Sequence, residues 1–153
     1  MWSSEVTNMI IAGIGETLYM TLVSTIAGYI IGLPMGIVLT VSDKDGIRPN
    51  SFIYKILDVI VNIVRSIPFI ILLVLLIPFT RFLVGKSYGS TATIVPLVVA
   101  AAPYIARMVE SSLKEVDAGV IEAARSMGAS DFDIVTKVLL VEARTSLLVG
   151  ATI

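Results

Sequence analysis

The sequence predicts an all-α protein, a polytopic transmembrane helix bundle, with residues 1–153 forming a single transmembrane domain. Three observations lead there. First, 56% of the residues are hydrophobic and mean hydropathy is +0.95, above the range of soluble domains of this size. Second, the apolar residues are gathered into runs that reach the roughly 20 residues a helix needs to cross the ~30 Å hydrocarbon core. Third, the one substantial polar segment, residues 111–144, lies between two such runs. Composition also excludes function classes. Net charge is −1, so no global field attracts nucleic acid or anionic lipid. Cysteine and histidine are both absent, which removes disulfides, thiol nucleophiles, the usual metal ligands and imidazole acid–base chemistry. No metal site is expected.

The N-terminus, Met1-Trp2-Ser3-Ser4-Glu5, lacks the basic n-region of a signal peptide, so the first apolar run is expected to remain as an anchor. Thr17 to Ser42 is free of charge for 26 residues and predicts a first span over about 17–42. Within it Gly28, Gly32 and Gly36 repeat every fourth residue. Glycine is common in membrane helices, but three in register on one face predict close approach of another backbone. Pro34 should kink this span. Ser42 to Asn50 is a turn-rich polar loop.

A second span is expected over about 56–80, bent between Pro68 and Pro78. Lys55, Asp58, Asn62 and Arg65 form a polar stripe on one helix face. Only 15 uncharged residues separate Arg65 from Arg81, about 22 Å of helix. Arg65 therefore either marks an intramembrane polar site, with Asp58 or Asn62 as its local partner, or snorkels to headgroups beside Pro68. Gly85-Lys86-Ser87 resembles the end of a phosphate-binding loop, but position 80 is Thr80 and no strand precedes it, so no nucleotide site is expected there. A third span is expected over about 87–108, with Arg107, Glu110 and Lys114 forming i,i+3 and i,i+4 pairs where it emerges. A fourth span begins at about Thr145, and its few residues to Ile153 predict a span that continues further.

In the polar segment a helix is expected from about Ala118 to Met127, N-capped by Asp117, with Gly128 in the left-handed C′ position. Ser130 should cap a second helix with Asp133 at N3. Lysine and arginine counts set the orientation. Lys44, Arg48, Lys55, Arg107, Lys114, Arg125, Lys137 and Arg144 fall on one side, and Arg81 and Lys86 on the other. Eight against two predicts the N-terminus outside and 111–144 in the cytoplasm. A membrane-surface helix would carry Lys and Arg opposite bulky apolar residues. Residues 118–130 are mostly Ala, Gly, Ser and Met, and acids outnumber bases around them, which favours docking into a protein groove.

Glu122-Ala123-Ala124 followed by Gly128, with Ile134 six residues on, resembles the EAA loop of binding-protein-dependent ABC importer permeases. Arg65-Ser66-Ile67-Pro68-Phe69, Ile77-Pro78-Phe79-Thr80-Arg81 and Ala101-Ala102-Pro103-Tyr104-Ile105-Ala106-Arg107 extend the similarity, over nearly the whole chain, to the methionine-type subfamily. The resemblance implies a cytoplasmic coupling-helix pair in which Glu122, Ala123, Ala124, Arg125, Met127, Gly128 and Ala129 engage the ATPase. It also implies a bacterial inner-membrane protein that binds no cofactor and is not itself an enzyme, with ATP and Mg on separate cytoplasmic ABC ATPase subunits. The other implied partners are a second permease copy, a substrate-binding lipoprotein or periplasmic protein, and membrane lipid. The family has five spans. Two departures stand out: Asp131 and Val141 occupy positions where the family commonly has proline, and at Val141 the missing helix breaker implies that the second coupling helix runs further toward span four. A permease for another, polar amino acid is the nearest alternative. A secondary transporter or channel would need acids inside its spans, and a non-transporting scaffold would co-purify with no ATPase.

Overall fold

The computed structural model describes residues 3–152. It is helical throughout, with no strand among the described residues. Helix α1 (Ser4–Ser42) is followed by α2 (Ser51–Ser66), α3 (Phe69–Leu75), α4 (Ile77–Val84) and α5 (Ser90–Lys114). The polar segment holds α6 (Ala118–Ser126) and a second helical stretch, which comprises α7 (Asp131–Asp133), a π-helical turn (Ile134–Leu139) and α8 (Leu140–Glu142). Helix α9 (Arg144–Gly150) closes the described chain. α1 and α5 are each long and apolar enough to cross a membrane, whereas α2 and α3 reach that length only when taken together across a 106° bend, so the expected 56–80 span is broken at Ile67-Pro68.

α1 starts thirteen residues before the span expected from Thr17, at a Ser3 cap whose hydroxyl accepts from the Val6 N–H. The difference is physical. Glu16 bounds the stretch that can lie in hydrocarbon, but an exposed glutamate does not interrupt a helix. Pro34 lies inside α1, which continues past it to Ser42. α5, by contrast, begins later and runs further than the expected 87–108, from Ser90 to Lys114. The expected bend in the second span falls at Ile67-Pro68, where proline disfavours helical geometry in the residue before it. Pro78 sits in the first turn of α4, where a missing N–H costs nothing. Gly85, with φ of 78°, ends α4 and donates its N–H to the Arg81 carbonyl.

The most extensive packing is between α1 and α5, which run parallel with Glu16 level with Ser90 and Asp43 level with Lys114. Gly28, Gly32 and Gly36 are all buried along this contact. A Cβ on Gly32 would lie 2.6 Å from the Ala102 carbonyl oxygen, and one on Gly36 2.6 Å from that of Ala106. The missing side chains therefore set the separation of the two helices. α2 joins where Leu39, Val61 and Ala106 meet, all fully buried. A second apolar cluster (Ile105, Val109, Leu113, Ile47, Ala124, Ile134) welds the polar segment to the Lys114 end of the bundle. The outward faces of α1, α2 and α3 carry exposed Ile, Leu and Val, the surface a helix presents to lipid or to neighbouring spans.

Candidate functional site

The polar segment is a pair of helices locked by their caps. Asp117 accepts the Gly119 N–H at 2.6 Å and starts α6. Gly128, at φ of 81°, ends it: its N–H reaches the Arg125 carbonyl at 3.0 Å while the Ala129 N–H reaches that of Ala124 at 3.1 Å. Those two bonds are the Schellman pattern. One residue later Ser130 accepts the Asp133 N–H at 3.2 Å and donates its hydroxyl to the Asp133 carboxylate at 2.6 Å. Lys137 lies 2.5 Å from the same carboxylate, and with Ser130 it holds the Asp133 carboxyl below the usual carboxylate range. The chain thus turns sharply between two helices with its backbone groups satisfied.

The seven residues of the expected coupling set divide by face. Ala124 is buried, Ala129 is half-buried, and Glu122, Ala123, Arg125, Met127 and Gly128 are exposed. Outward there is a small-sided ridge flanked by exposed Val120, Met127 and Phe132. Inward, Ala124 and the fully buried Ile134 and Leu139 hold the pair to the bundle. Arg125 reaches across, donating from Nη2 to the Ile47 carbonyl at 2.8 Å. A cleft of about 420 Å³, lined in part by Asp43, Ile47, Lys114, Ile121, Glu122 and Arg125, lies between α6 and the α1–α2 loop.

Above this junction lies an ionic network that links three helices. Arg107 on α5 donates to the Asp58 carboxylate on α2, to Asn62 Oδ1 at 3.0 Å and to Glu110 at 2.6 Å. Glu110, nearly fully buried, also accepts from Lys114 at 2.8 Å and from the Tyr54 hydroxyl at 3.3 Å. Lys114 closes the series onto Asp43 at 2.6 Å. Asp43 follows α1, and its carboxyl is held below the usual range, chiefly by the hydrogen bond from Lys114.

The expected polar site at Arg65, Asp58 and Asn62 is thus divided. Asp58 and Asn62 bond to each other at 3.2 Å and meet Arg107, while Arg65 stacks on Tyr104, 6.0 Å from the ring centroid. The guanidinium fork of Arg107 faces α2 across the helix interface and can serve both groups at once, which Arg65 on their own helix does not. Sequence reasoning read Arg107, Glu110 and Lys114 only as local helix pairs and passed over Asp43 and Tyr54. The available signal was that their 3- and 4-residue spacing matches the stripe Tyr54, Asp58, Asn62 on α2.

Residues 28–153 match the family described as binding-protein-dependent transport system inner membrane component. The chain belongs to this family. It is therefore an inner-membrane permease component. It is 54% identical over 145 residues to the D-methionine transport system permease protein MetI of Salmonella typhimurium strain LT2, which covers 95% of this chain and 67% of that protein. Identity and coverage are the same for the protein of that name from Escherichia coli K12. A chain of the MetNI methionine ABC transporter, in an inward-facing conformation, superposes with a TM-score of 0.96 at 52% identity, covering 99% of this chain and 70% of that one.

Proposed function

We propose that the chain is the membrane-spanning subunit of an ATP-driven methionine importer, forming part of the translocation path and coupling it to a cytoplasmic ATPase. The observation that carries the coupling role is the two-faced helix pair: an outward ridge of Glu122, Ala123 and Met127 on a unit whose inner face, Ala124, Ile134 and Leu139, is welded to the helix bundle. A push on that ridge is delivered to α1 and α5, because the caps at Asp117, Gly128 and Ser130 leave the pair little freedom to deform. Methionine as substrate is supported by the identity to the D-methionine permeases.

In this reading two permease copies line the path, ATP and magnesium belong to the ATPase, and a binding protein delivers substrate at the outer face. The coupling set is Glu122 to Arg125 with Met127, Gly128 and Ala129, and the N-terminus lies outside with 111–144 in the cytoplasm. Residues 1–153 hold no cysteine, so a single cysteine introduced among them reports orientation. An impermeant maleimide should label Ser4→Cys but not Ser126→Cys in intact cells, and the opposite pattern reverses the topology. Substrate is tested with proteoliposomes holding the full-length permease, its ATPase and its binding protein. ATP-dependent uptake of labelled methionine should be competed by D- and L-methionine. Competition by polar amino acids alone would assign the path to a different substrate.

A further inference from the structure

The α1–α2 loop, residues 43–50, is held from four sides. Its own backbone folds back on α1, with the Arg48 N–H on the Val41 carbonyl at 3.0 Å and the Asn50 N–H on that of Ser42 at 2.9 Å. Gly46 permits this return, because a Cβ there would sit against the Thr40 and Val41 carbonyl oxygens. The far end is fixed to α2: the Asn50 side chain accepts from the Phe52 and Ile53 N–H groups, each at 3.2 Å. From the side, Lys114 of α5 grips Asp43 at 2.6 Å. From the coupling pair, the Ile47 side chain enters the apolar cluster with Leu113, Ala124 and Ile134, and Arg125 donates to the Ile47 carbonyl across 78 positions of sequence.

The cleft already described opens beside this junction, and two contacts cross it from the coupling pair to the loop: the Ile47 side chain in the shared apolar cluster and the Arg125 hydrogen bond. The loop is bonded to α1 and α2, and charged side chains tie it both to the coupling pair, through Arg125, and to α5, through Lys114. We infer that residues 43–50 are a relay through which displacement of the coupling helices reaches α1 and α2, with Arg125 as the positioning residue that engages it. The inference rests on the reading of 118–139 as the coupling pair. It assigns Arg125 a role directed into the permease, distinct from contact with the ATPase.

The test uses the full-length permease assembled with its ATPase, carrying spin labels at Lys44→Cys and Ser126→Cys. The relay requires the intramolecular 44–126 distance to stay constant between nucleotide-free and ATP-trapped states, while the distance between Lys44→Cys labels on the two copies changes. A change in the 44–126 distance of more than about 2 Å, the size of an ordinary helix shift at an interface, means that α6 slides over the loop and overturns the relay alone. Failure of an ATPase to assemble on the permease overturns the coupling reading and the relay with it. In a second arm, Arg125→Met should broaden the 44–126 distribution and lower uptake per ATP hydrolysed about tenfold, the scale of one lost charge-assisted hydrogen bond. Arg125→Lys, which keeps a donor, should restore most of that ratio. Unchanged uptake per ATP in Arg125→Met overturns the positioning role. Ile47→Ser provides the same readout should Arg125→Met fail to fold.

Discussion

Gly36→Ala loads the α1–α5 interface at its tightest point. The added Cβ would lie 2.6 Å from the Ala106 carbonyl oxygen and 2.6 Å from Val109 Cβ, where ordinary contact begins near 3.4 Å. Neither neighbour is the free end of a flexible side chain, so the helices must part by about 0.8 Å, the shortfall between those distances. A gap of that size forfeits about a quarter to a half of each contact it opens. Overpacking of this kind costs about 1–3 kcal/mol, and the better helix propensity of alanine returns up to about 1 kcal/mol. The expected net loss is about 1–2 kcal/mol. Gly32→Ala meets the same obstruction, 2.6 Å from the Ala102 carbonyl oxygen. Gly28→Ala meets the Ile105 and Ala101 side chains at 3.1 and 3.2 Å, with the nearest backbone atom, Ala102 N, at an ordinary 3.9 Å, and should be near neutral. Gly13→Ala has open space and should be neutral or slightly stabilising. With roughly 2–4 °C per kcal/mol for a domain of this size, Gly36→Ala should lower the midpoint of thermal unfolding in detergent by about 2–8 °C. Equal midpoints for all four variants, or Gly28→Ala as the most damaging, would refute the claim that absent side chains set the helix separation.

Arg107→Met should be the most costly single change in the ionic network, about 2–3 kcal/mol by thermal unfolding, because it removes the only cation paired with Asp58 among the described residues, leaving it Asn62 alone, and leaves nearly buried Glu110 with Lys114 and Tyr54. Asp58→Asn, which leaves Arg107 its bond to Glu110, should cost about 1 kcal/mol, and a reversed order would show that Arg107 is not the hub. Gly128→Val should cost about 1–2 kcal/mol through its backbone alone, since φ is 81° and nothing lies within 4 Å of a Cβ there. Uptake per ATP hydrolysed should fall with it, and full coupling in that variant would remove the Schellman turn from the mechanism. The depressed Asp43 carboxyl stabilises the fold above its unfolded pKa of about 3.9, and this contribution is lost as pH falls through the lower folded value. Lys114 and Lys44 favour the charged carboxylate, while Glu110 shares Lys114 with it. The stability gap between the unmodified protein and Asp43→Asn should therefore stay constant from pH 5 to 8 and close only below about pH 4. Closure between pH 6 and 8 would contradict the pairing.

What could be read from the chain without coordinates was local. The glycine register on α1, the caps at Asp117 and Ser130, and the left-handed Gly128 each depend on residues within a turn or two of one another. The ionic network depends on which helix comes opposite which. Periodicity assigns Asp58 and Asn62 to a face of α2, but it does not say that Arg107 occupies the space in front of them. Arg65 attracted attention for its depth in an apolar run, yet its neighbour is an aromatic ring 39 positions away. The start of α1 is not legible for another reason: a charge limits residence in hydrocarbon and says nothing about helicity, so Glu16 bounds the predicted span without bounding the helix.

The second helical stretch of the polar segment shows the same division. Replacing the family's proline by Val141 predicts a helix that runs on toward the fourth span. The structure carries helical backbone through Val141, with a turn only at Ala143 before α9 begins at Arg144. Nothing in Ile134-Val-Thr-Lys-Val-Leu139, however, announces a π-helical turn. Its cause is the burial demand at both ends. Ile134 and Leu139 are both essentially inaccessible, yet residues five apart stand about 140° apart on an α-helix of 3.6 residues per turn. Widening to i→i+5 bonds brings both toward the bundle, at the expense of poorer helical packing in between. The wide turn thus lets one short helix satisfy two anchors, Ile134 and Leu139, within the single apolar cluster that also holds Leu113, Ala124 and Ala143. Such a turn stores an extra residue that a straight helix would expel. It lies between the cap at Ser130 and the start of α9, so a displacement of α7 passes through it before it reaches α9.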